Sequence, residues 1–430
     1  MFRLIRKLVP GFLLSWYHFG LAFLGALLYG FPSRGMIVIG VTGTNGKSTT
    51  VDMLSRIFQE AGLKTASLSS IRFQILDKEW RNTMKMTMPG RFVIQQFLRQ
   101  AKDAGCTHVV LEVTSEGILQ HRHRFINFHT AVFTNLSPEH IERHGSFENY
   151  KRTKGKLFAA AKEIHVLNAD DEHVSYFLSF PSKKLYLYGS SSEFSLRFTP
   201  FAEWGPTRLQ KIQSSPVVEN ENGVSFQVDD TNFHLKLLGE FNAYNALAAI
   251  AVARSQGISL QVCSKALEKM VVVPGRMETV VQKPFRVVVD YAFTPAALEK
   301  VYQTLKPKKG KLICVLGAAG GGRDRWKRPV LGKIAATYCD RVVITNEDPY
   351  EEDPEKIIHE VYEGTKGRGE IILDRREAIR TALSQAKPGD VVIITGKGSE
   401  DSIAIKGGRK IPWDDRGVVR EEMQVKEKGL

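Results

Sequence analysis

The sequence has few cysteines and none of them are clustered. Its four cysteines (Cys106, Cys263, Cys314 and Cys339) are widely scattered and form no Cys-x-x-Cys pair. This argues against a structural zinc site or a disulfide framework and agrees with a reducing compartment. Internal repeats and low-complexity tracts are absent too. A chain of 430 residues, 43% hydrophobic and 25% charged, is typical of a globular protein with two or three domains.

The charge balance is basic, with a formal net charge of +14. Such a charge favours an anionic partner, which could be a nucleotide, a sugar phosphate, a nucleic acid or an acidic membrane. The sequence contains no recognised nucleic-acid-binding module and no basic stripe interleaved with aromatic residues. We therefore expect no nucleic-acid partner.

Residues 11–31 are almost wholly apolar, and three basic side chains precede them. The run is long enough to span a bilayer, but no small-residue cleavage site follows it, which argues against a signal peptide. A single span followed by a cytosolic domain would place the basic N-terminus outside, against the positive-inside rule. A helix on the inner membrane face, with Trp16, Tyr17 and Tyr29 at the headgroups, satisfies both demands. The alternative is a helix packed on the protein itself.

Residues 37–50, IVIGVTGTNGKSTT, carry the most informative local pattern. An apolar, β-branched strand is followed by a glycine-rich turn, and residues 48–61 then have the apolar spacing of a helix. The backbone N–H groups of such a turn and helix form a phosphate cradle. Within it, Lys47 would reach the outer phosphates and the hydroxyl of Ser48 would hold Mg²⁺. The strict pattern requires glycine where Val41 stands, so the motif is a variant. The alternative is an ordinary strand–turn–helix.

Short apolar strands alternate with helices along most of the chain, which predicts parallel sheets covered on both faces. Functional groups should collect at the C-terminal ends of the strands, where residues 42–48, 112–115 and 135–140 lie. Short strands with many turns in residues 185–238 predict an antiparallel insertion. The predicted fold class is α/β. Its parts are an apolar N-terminal helix that could anchor to a membrane surface (1–35), a central P-loop parallel-sheet ATPase domain (36–274) and a C-terminal Rossmann-like α/β domain (275–430).

Ten ordered segments of the sequence match one known family. They are VTGTNGKSTT, LEVTSEGILQHR, AVFTNLSPEHIERHGSFENYKRTKGKLF, LLGEFNAYNALAAIAVA, PGRME, VVDYAFTPAALE, GGGRDRWKRP, TNEDPYEEDP, LDRREAI and TGKGSE. Over roughly residues 36–415 the chain resembles the Mur ligase superfamily, most closely its UDP-N-acetylmuramoyl-tripeptide synthetases. The resemblance implies a cytoplasmic, monomeric amide ligase of peptidoglycan precursor synthesis. Such a ligase uses ATP to convert a muramyl-peptide carboxylate to an acyl phosphate, which the amine of an amino acid then attacks.

The resemblance also implies which residues bind ATP. Lys47 and the turn backbone would bind the β- and γ-phosphates, while Arg276 and Asp290 would contact the γ-phosphate and the ribose. Asn242 and Asn245 match adenine-side positions, although asparagines three residues apart can also simply cap and line a helix. The full ATP-binding set is Gly43, Thr44, Asn45, Gly46, Lys47, Ser48, Thr49, Asn242, Asn245, Arg276 and Asp290.

The catalytic and metal-binding residues follow from the same resemblance. Ser48 and Glu112 would hold one Mg²⁺, and His140 would hold a second that clamps the acyl phosphate. Lys154 stands at the position of a carbamylated lysine, and a carbamate would make it an anionic metal ligand. With Lys47, the implied catalytic set is then Lys47, Glu112, His140 and Lys154. Without the resemblance, Lys154 would be interpreted as a surface lysine on a basic helix and His140 as an ordinary loop histidine.

The substrate-binding positions match the family less completely. Thr87, Thr114, Gln120 and Arg122 match residues that bind the muramyl and uridine-diphosphate parts of the acceptor, but Met88 replaces a second threonine. Arg323, Asp348, Gly396 and Glu400 match the incoming amino-acid site. An arginine for the carboxylate and a glutamate for a side-chain amine make physical sense.

Four departures limit what the resemblance implies about substrates. About 35 residues precede the phosphate turn, where the tripeptide synthetases have a uridine-nucleotide-binding domain. We therefore expect either that the protein makes fewer contacts with the acceptor's nucleotide or that the acceptor is lipid-linked and is met at the membrane. Tyr350 replaces the arginine of an Asp-Asn-Pro-Arg motif associated with diaminopimelate, which puts diaminopimelate in doubt and leaves lysine, ornithine or another amino acid open. Ser399 and Phe293 replace two motif histidines.

Two other functions remain open from the sequence. One is a related ligase of another pathway, of the poly-γ-glutamate or folylpolyglutamate type. The other is a basic, membrane-bound scaffold that keeps the fold without the activity. The motifs around His140 favour the peptidoglycan enzyme over the first alternative. The retained Lys47, Glu112, His140 and Lys154 argue against the scaffold.

Overall fold

The computed structural model describes residues 10–190 and 208–427, and these form two compact units. Among the described residues, the first unit comprises those up to 136, 148–236 and 240–270. The second comprises 137–147, 237–239 and those from 271 onward.

The first unit is built on a nine-stranded sheet with helices between its strands. Its helices are α1 (Gly11–Leu28), α2 (Lys47–Glu60), α3 (Arg91–Asp103), α4 (Ser115–Leu119), α6 (Phe147–Ala160), α7 (Val174–Leu178), α8 (Glu240–Ser255) and α9 (Leu260–Glu268), while α5 (Ile141–His144) falls in the second unit. Its sheet strands are β1 (Ile37–Thr42), β2 (Thr65–Leu68), β3 (Arg72–Ile75), β4 (Lys78–Arg81), β5 (His108–Glu112), β6 (Phe128–Phe133), β7 (Ile164–Asn168), β8 (Lys184–Gly189) and β9 (Arg208–Gln213).

Strand β1 lies in the interior of this sheet, whose order is β4-β3-β2-β5-β1-β6-β7-β8-β9. It pairs in parallel with β5 on one side and β6 on the other, and five of its six residues are buried because both faces of the sheet are covered. Helix α8 packs on the sheet and on α2. The C-terminal ends of β1, β5 and β6 consequently meet at one edge, as the sequence predicts.

The predicted antiparallel insertion is only partly correct. Strands β8 and β9 belong to the main sheet, since β7 pairs with β8 and β8 with β9 in parallel. Among the described residues of the 185–238 stretch, only β10 (Val218–Asn220), β11 (Gly223–Val228) and β12 (Thr231–Leu235) form a separate antiparallel sheet. Short strands rich in turns do not reveal their pairing partners locally, so the pattern could not distinguish an edge strand from an insertion. Residues 191–207 of this prediction lie outside the described residues.

Helix α1 packs against α3 with one face and exposes the other. Ala22 and Ala26 are buried, and a Cβ atom at Gly25 would lie 3.5 Å from the carbonyl oxygen of Arg91. Within residues 10–190 and 208–427, none of the helices combines the length and the apolarity needed to cross a membrane.

The second unit is built on a six-stranded sheet. Its elements are β13 (Glu278–Val281), β14 (Arg286–Val289), α10 (Pro295–Leu305), β15 (Leu312–Leu316), α11 (Lys327–Tyr338), β16 (Arg341–Ile344), α12 (Pro354–Thr365), β17 (Gly369–Ile371), α13 (Arg375–Gln385), β18 (Val391–Ile394), β19 (Ser402–Ile405), β20 (Arg409–Pro412) and α14 (Asp415–Glu427). The strand order in the six-stranded sheet is β13-β14-β18-β15-β16-β17, and all its pairs are parallel except β13 with β14. Apolar side chains of the sheet, α13 and α14 share one core, which explains the near-continuous valine and isoleucine in these strands.

Candidate active site

The turn after β1 has the backbone shape of a phosphate cradle. Gly43 and Gly46 have φ angles of 154° and 83°, and Gly46 directly precedes the first residue of α2. A Cβ atom at Gly46 would lie 2.1 Å from Oδ1 of Asn245, and one at Gly43 would lie 1.9 Å from Oγ1 of Thr134. Only glycine fits at either position, since space and backbone conformation both exclude a side chain.

The end of strand β6 holds this turn in place. Asn135 accepts hydrogen bonds from the backbone N–H of Thr44 (2.8 Å, through its carbonyl oxygen) and of Asn45 (2.9 Å, through Oδ1). The hydroxyl of Thr134 donates to the carbonyl oxygen of Asn45 at 2.7 Å. The sequence placed Asn135 at a strand end but gave it no role, because its partners are 90 residues away along the chain.

Lys47 and Thr49 continue the cradle into helix α2. The ammonium group of Lys47 donates to the carbonyl oxygen of Thr44 at 2.8 Å, so its side chain curls back over the turn. Thr49 is buried in the first turn of the helix. A lysine held over the N–H groups of such a turn is placed to neutralise the outer phosphates of a nucleotide.

Ser48 and Glu112 form a buried oxygen cluster beside the cradle. The Ser48 hydroxyl donates to Oε2 of Glu112 at 2.8 Å and lies 2.8 Å from the hydroxyl of Ser70. The same carboxylate oxygen accepts the backbone N–H of Ser70 at 2.9 Å. These are hard oxygen donors, which Mg²⁺ prefers, so the donor chemistry fits a magnesium ion. Ser70 is an addition that the motifs did not indicate.

No group of three or more His, Cys, Asp or Glu side chains arranged to hold a metal occurs in the described part of the chain. The predicted metal ligands also divide between the units, because His140 belongs to the second unit and Ser48, Glu112 and Lys154 belong to the first. His140 has a φ angle of 57° and directly precedes helix α5.

Lys154 is 1% exposed, so the surface-lysine interpretation is wrong. Its ammonium nitrogen donates to the carbonyl oxygen of Gly43 at 2.7 Å and lies 4.6 Å from the centroid of the Tyr150 ring. Burial lowers the pKa of Lys154 well below its usual value. The charge of Lys47 lowers this pKa further, and Glu112 opposes the shift. The site therefore favours a neutral amine beside the cradle.

Asn242 and Asn245 lie on helix α8 and are buried. The side-chain amide of Asn245 donates to Oδ1 of Asn242 at 3.0 Å. The close approach of Asn245 to Gly46 places this pair beside the glycine turn.

Three of the four predicted acceptor-binding residues lie on one segment that begins at helix α4. Thr114 caps this helix by accepting the backbone N–H of Gly117 at 3.1 Å. Arg122 donates to Oε1 of Gln120 at 2.8 Å and also to the carbonyl oxygen of Met88, the neighbour of half-buried Thr87. Gln120, Arg122 and the loop carrying Thr87 are thus brought together.

Three of the four predicted amino-acid-binding residues, Asp348, Gly396 and Glu400, lie beside a buried lysine that the sequence reasoning missed. The ammonium group of Lys397 lies 3.0 Å from Oδ1 of Asp348 and 2.5 Å from Oε2 of Glu400. The Gly-Lys-Gly motif was the available signal for Lys397. Near this cluster, a Cβ atom at Gly396 would lie 2.4 Å from Oε2 of Glu347, and that oxygen has no hydrogen-bond partner among the residues that the structure describes. Burial raises the pKa of the Glu347 carboxyl, against the charge of Lys397.

Arg323, Arg276 and Asp290 also lie in the second unit. The guanidinium of Arg323 lies 5.9 Å from the centre of the Phe293 ring, and that of Arg276 lies 4.4 Å from the centre of the Tyr291 ring. Asp290 accepts two backbone N–H groups, at 2.7 and 2.6 Å. Burial raises the pKa of Asp290, while Arg276 and these N–H groups oppose the rise.

Two family models match this chain. The Mur ligase middle domain matches residues 41–253, and the glutamate ligase domain of Mur ligases matches residues 275–398. A UDP-N-acetylmuramyl-tripeptide synthetase of Roseiflexus sp. is 38% identical over 430 residues, which cover 94% of this chain and 81% of the relative. A UDP-N-acetylmuramoyl-L-alanyl-D-glutamate–2,6-diaminopimelate ligase of Aquifex aeolicus is 38% identical over 91% of this chain and 78% of its own length.

Solved structures agree at the level of fold. A UDP-N-acetylmuramoyl-L-alanyl-D-glutamate–2,6-diaminopimelate ligase matches with a TM-score of 0.59 and 30% identity, covering 92% of this chain and 79% of that one. Mycobacterium tuberculosis folylpolyglutamate synthase matches with a TM-score of 0.66 at 19% identity, covering 88% and 92% of the two chains. At that identity the second likeness shows the fold alone.

Proposed function

We propose that this chain, which belongs to the Mur ligase family, is an ATP-dependent, ADP-forming ligase that joins an amino acid to the carboxylate of a muramyl peptide in peptidoglycan precursor synthesis. One observation carries the proposal. Within the first unit, the glycine turn, Lys47, the Ser48–Glu112 pair and buried Lys154 lie together at the end of strand β1. The proposed domains are the central residues 36–274 and the C-terminal residues 275–430.

The proposed reaction has two steps. A carboxylate oxygen of the acceptor attacks the γ-phosphorus of ATP, which forms an acyl phosphate and releases ADP. The amine of the amino acid then attacks the acyl carbon, phosphate leaves, and the amine proton passes to solvent as the amide forms. Phosphoryl transfer requires mainly positioning and neutralisation of charge. Lys47 and the N–H groups of the turn provide both at the β- and γ-phosphates.

Ser48 and Glu112 would hold one Mg²⁺, and His140 with a carbamylated Lys154 would hold a second. When bound, Mg²⁺ neutralises the charge on the transferring phosphoryl group. Only a neutral amine reacts with CO₂, and the lowered pKa of Lys154 favours that form relative to an exposed lysine. The product is a carbamate and a proton. The carbamate would replace a cation by an anion beside Lys47.

The amino acid would bind at Arg323, Asp348, Gly396 and Glu400, with Arg323 receiving its carboxylate. Glu347 adds a buried carboxylate next to Gly396. Because Tyr350 stands where an arginine would hold the distal carboxylate of diaminopimelate, a side chain ending in an amine, such as lysine or ornithine, suits this set better. The acceptor would bind at Thr87, Thr114, Gln120 and Arg122.

The remaining nucleotide contacts are also part of the proposal. Asn242 and Asn245 would lie on the adenine side, while Arg276 and Asp290 would contact the γ-phosphate and the ribose. We further propose that the protein works as a monomer in the cytoplasm, at the inner face of the membrane, with helix α1 on the membrane surface.

The test is phosphate release from ATP and Mg²⁺ by the purified protein. Acceptors should include UDP-muramyl-dipeptide, its lipid-linked form and glutamate-based compounds, each combined with lysine, ornithine, diaminopimelate or glutamate. Release that requires a muramyl acceptor and an amino acid, and that is lost in Lys47→Ala, supports the proposal. Release with glutamate acceptors alone would assign the chain to the folylpolyglutamate or poly-γ-glutamate type. A folded protein that binds ATP but releases no phosphate would support a scaffold.

A further inference from the structure

The outward face of helix α1 is a continuous apolar surface. Trp16, Leu28 and Phe12 are 70, 66 and 64% exposed, and residues 11–28 contain no charged side chain. With exposed Gly20 included, the positions recur every three or four residues, so they form one stripe along the helix. The stripe consists of Phe12, Leu13, Trp16, Tyr17, Phe23, Leu24, Leu27 and Leu28. A patch of this extent on a folded protein marks an interaction site.

The opposite face of α1 is fixed to the protein, so the stripe has a defined orientation. The hydroxyl oxygen of Ser15 lies 2.8 Å from Nε2 of His121. The ring of Phe19 packs against the rings of His121 and Phe125, with centroids 5.8 and 5.2 Å apart. His18 bonds Arg91 on helix α3. The helix therefore presents the stripe as a rigid surface.

Charge indicates what covers the stripe. Asp52 is the first acidic residue of the sequence, whereas Arg3, Arg6, Lys7 and Arg34 are basic. Arg34, which follows α1 in the chain, and Arg124, which lies between His121 and Phe125 on the segment that α1 contacts, are both exposed. The stripe is apolar and carries tryptophan and tyrosine, and the charged residues nearest to it in the sequence are all cations. This composition matches the interface of an anionic bilayer, where aromatic rings lie at the headgroups.

The same helix contacts the segment that carries the acceptor-binding residues. His121, which bonds Ser15, lies between Gln120 and Arg122 in the chain. Arg91, which bonds His18, also donates through Nε to the carbonyl oxygen of Gln120 at 3.0 Å. A binding partner on the outer face of α1 would thus lie about 10 Å, the thickness of one helix, from the segment that contains Gln120 and Arg122.

We propose that the stripe docks on an anionic bilayer and that the acceptor is a lipid-linked muramyl peptide carried by that bilayer. This inference rests on the proposed ligase function and names its acceptor class. Docking would concentrate the enzyme in the plane that holds its substrate, and the contacts of α1 with the segment around Gln120 would present the acceptor residues at that plane. A second copy of the chain or a protein partner on the stripe is the competing occupant.

The experiment uses the full-length chain and two variants. Leu24→Ser/Leu27→Ser alters the stripe, and Val218→Ser/Ile411→Ser is the matched control, because these two exposed side chains lie outside α1. Vesicles contain phosphatidylcholine with about a quarter phosphatidylglycerol. We expect wild type and control to co-float with these vesicles and not with pure phosphatidylcholine. The stripe variant should bind at least about tenfold more weakly.

Ligation is then measured with one muramyl dipeptide in two forms, linked to UDP in solution or to a polyprenyl diphosphate in the vesicles. We expect wild type to prefer the lipid-linked form. The stripe variant should raise KM for that form about tenfold while keeping its kcat and its rate with the soluble form.

Equal use of the two forms, or a stripe variant that keeps its KM for the lipid-linked form, would overturn the inference and leave the ligase function standing. Wild-type self-association in light scattering that the stripe variant abolishes, without vesicle binding, would assign the stripe to a second copy. Absence of ligation with both forms would overturn the proposed function and this inference together.

Discussion

Replacing Lys154 by methionine separates the chemical role of this lysine from its role in packing. Methionine has a similar unbranched shape and removes only the amine. The substitution removes the 2.7 Å hydrogen bond to Gly43 and the contact with the Tyr150 ring. A net hydrogen bond contributes about 1 kcal/mol, and the cost of desolvating the amine disappears as well. We therefore expect the free energy of unfolding to change by no more than about 1–2 kcal/mol.

The effect on ligation should be much larger. If Lys154 carries a carbamate that helps to hold Mg²⁺, its loss removes several kcal/mol of transition-state stabilisation. The kcat/KM for acceptor-dependent phosphate release should then fall by about 10³. Lys156→Met is the matched control, since this lysine lies on the same helix and is exposed. It should leave kcat/KM unchanged.

The pH dependence of stability, measured without CO₂ so that Lys154 remains an amine, gives an independent readout. The pKa of Lys154 in the folded protein lies below the ordinary lysine value of 10.5, so the unfolded chain binds more protons between the two values. Wild-type stability relative to Lys154→Met should accordingly rise with pH up to about 10.5. A folded Lys154→Met protein within about threefold of wild-type kcat/KM would refute the reasoning.

Three further predictions concern other buried groups. Gly46→Ala should weaken ATP binding and lower the free energy of unfolding by about 1–3 kcal/mol, because its Cβ would collide with Asn245; isothermal calorimetry and denaturant unfolding would show this, and an unchanged ATP affinity would contradict it. Burial and neighbouring cations lower the pKa of His123 to about 3. As the pH falls from about 6.5 to 5, the free energy of unfolding of wild type should therefore decrease by about 2 kcal/mol more than that of His123→Leu. Parallel plots of unfolding free energy against pH for the two proteins would contradict this prediction. Lys397→Met removes the buried cation beside Asp348 and should lower the free energy of unfolding by about 3–5 kcal/mol, measured by thermal or denaturant unfolding. A decrease below about 1 kcal/mol would show that this ion pair contributes little to stability.

The phosphate cradle could be predicted from sequence because it is contiguous. Strand β1, the turn and helix α2 follow one another within residues 37–60, and their conformations depend on local features such as β-branched residues and glycines at positive φ. The family could be recognised for a related reason, since its motifs keep their order, and the comparisons confirm the resemblance.

Other features depended on contacts between distant parts of the chain. The basic pattern around Lys154 is the same whether its helix face points to solvent or to Gly43, which lies 111 residues away. Strands β8 and β9 were mistaken for an insertion because pairing is decided by neighbours in the sheet. Asn135, Ser70 and Lys397 acquire their roles only through partners that the fold brings to them.

Residue types at short spacing are enough to predict the α/β class, the glycine turn, the ligase family and the apolar character of residues 11–28. Local spacing could not show that Lys154 is buried beside Gly43, that Asn135 holds the turn, or that α1 packs one face on the segment around His121 and exposes the other. Burial and hydrogen bonding depend on which distant residues the fold brings together, and only the folded chain specifies these contacts.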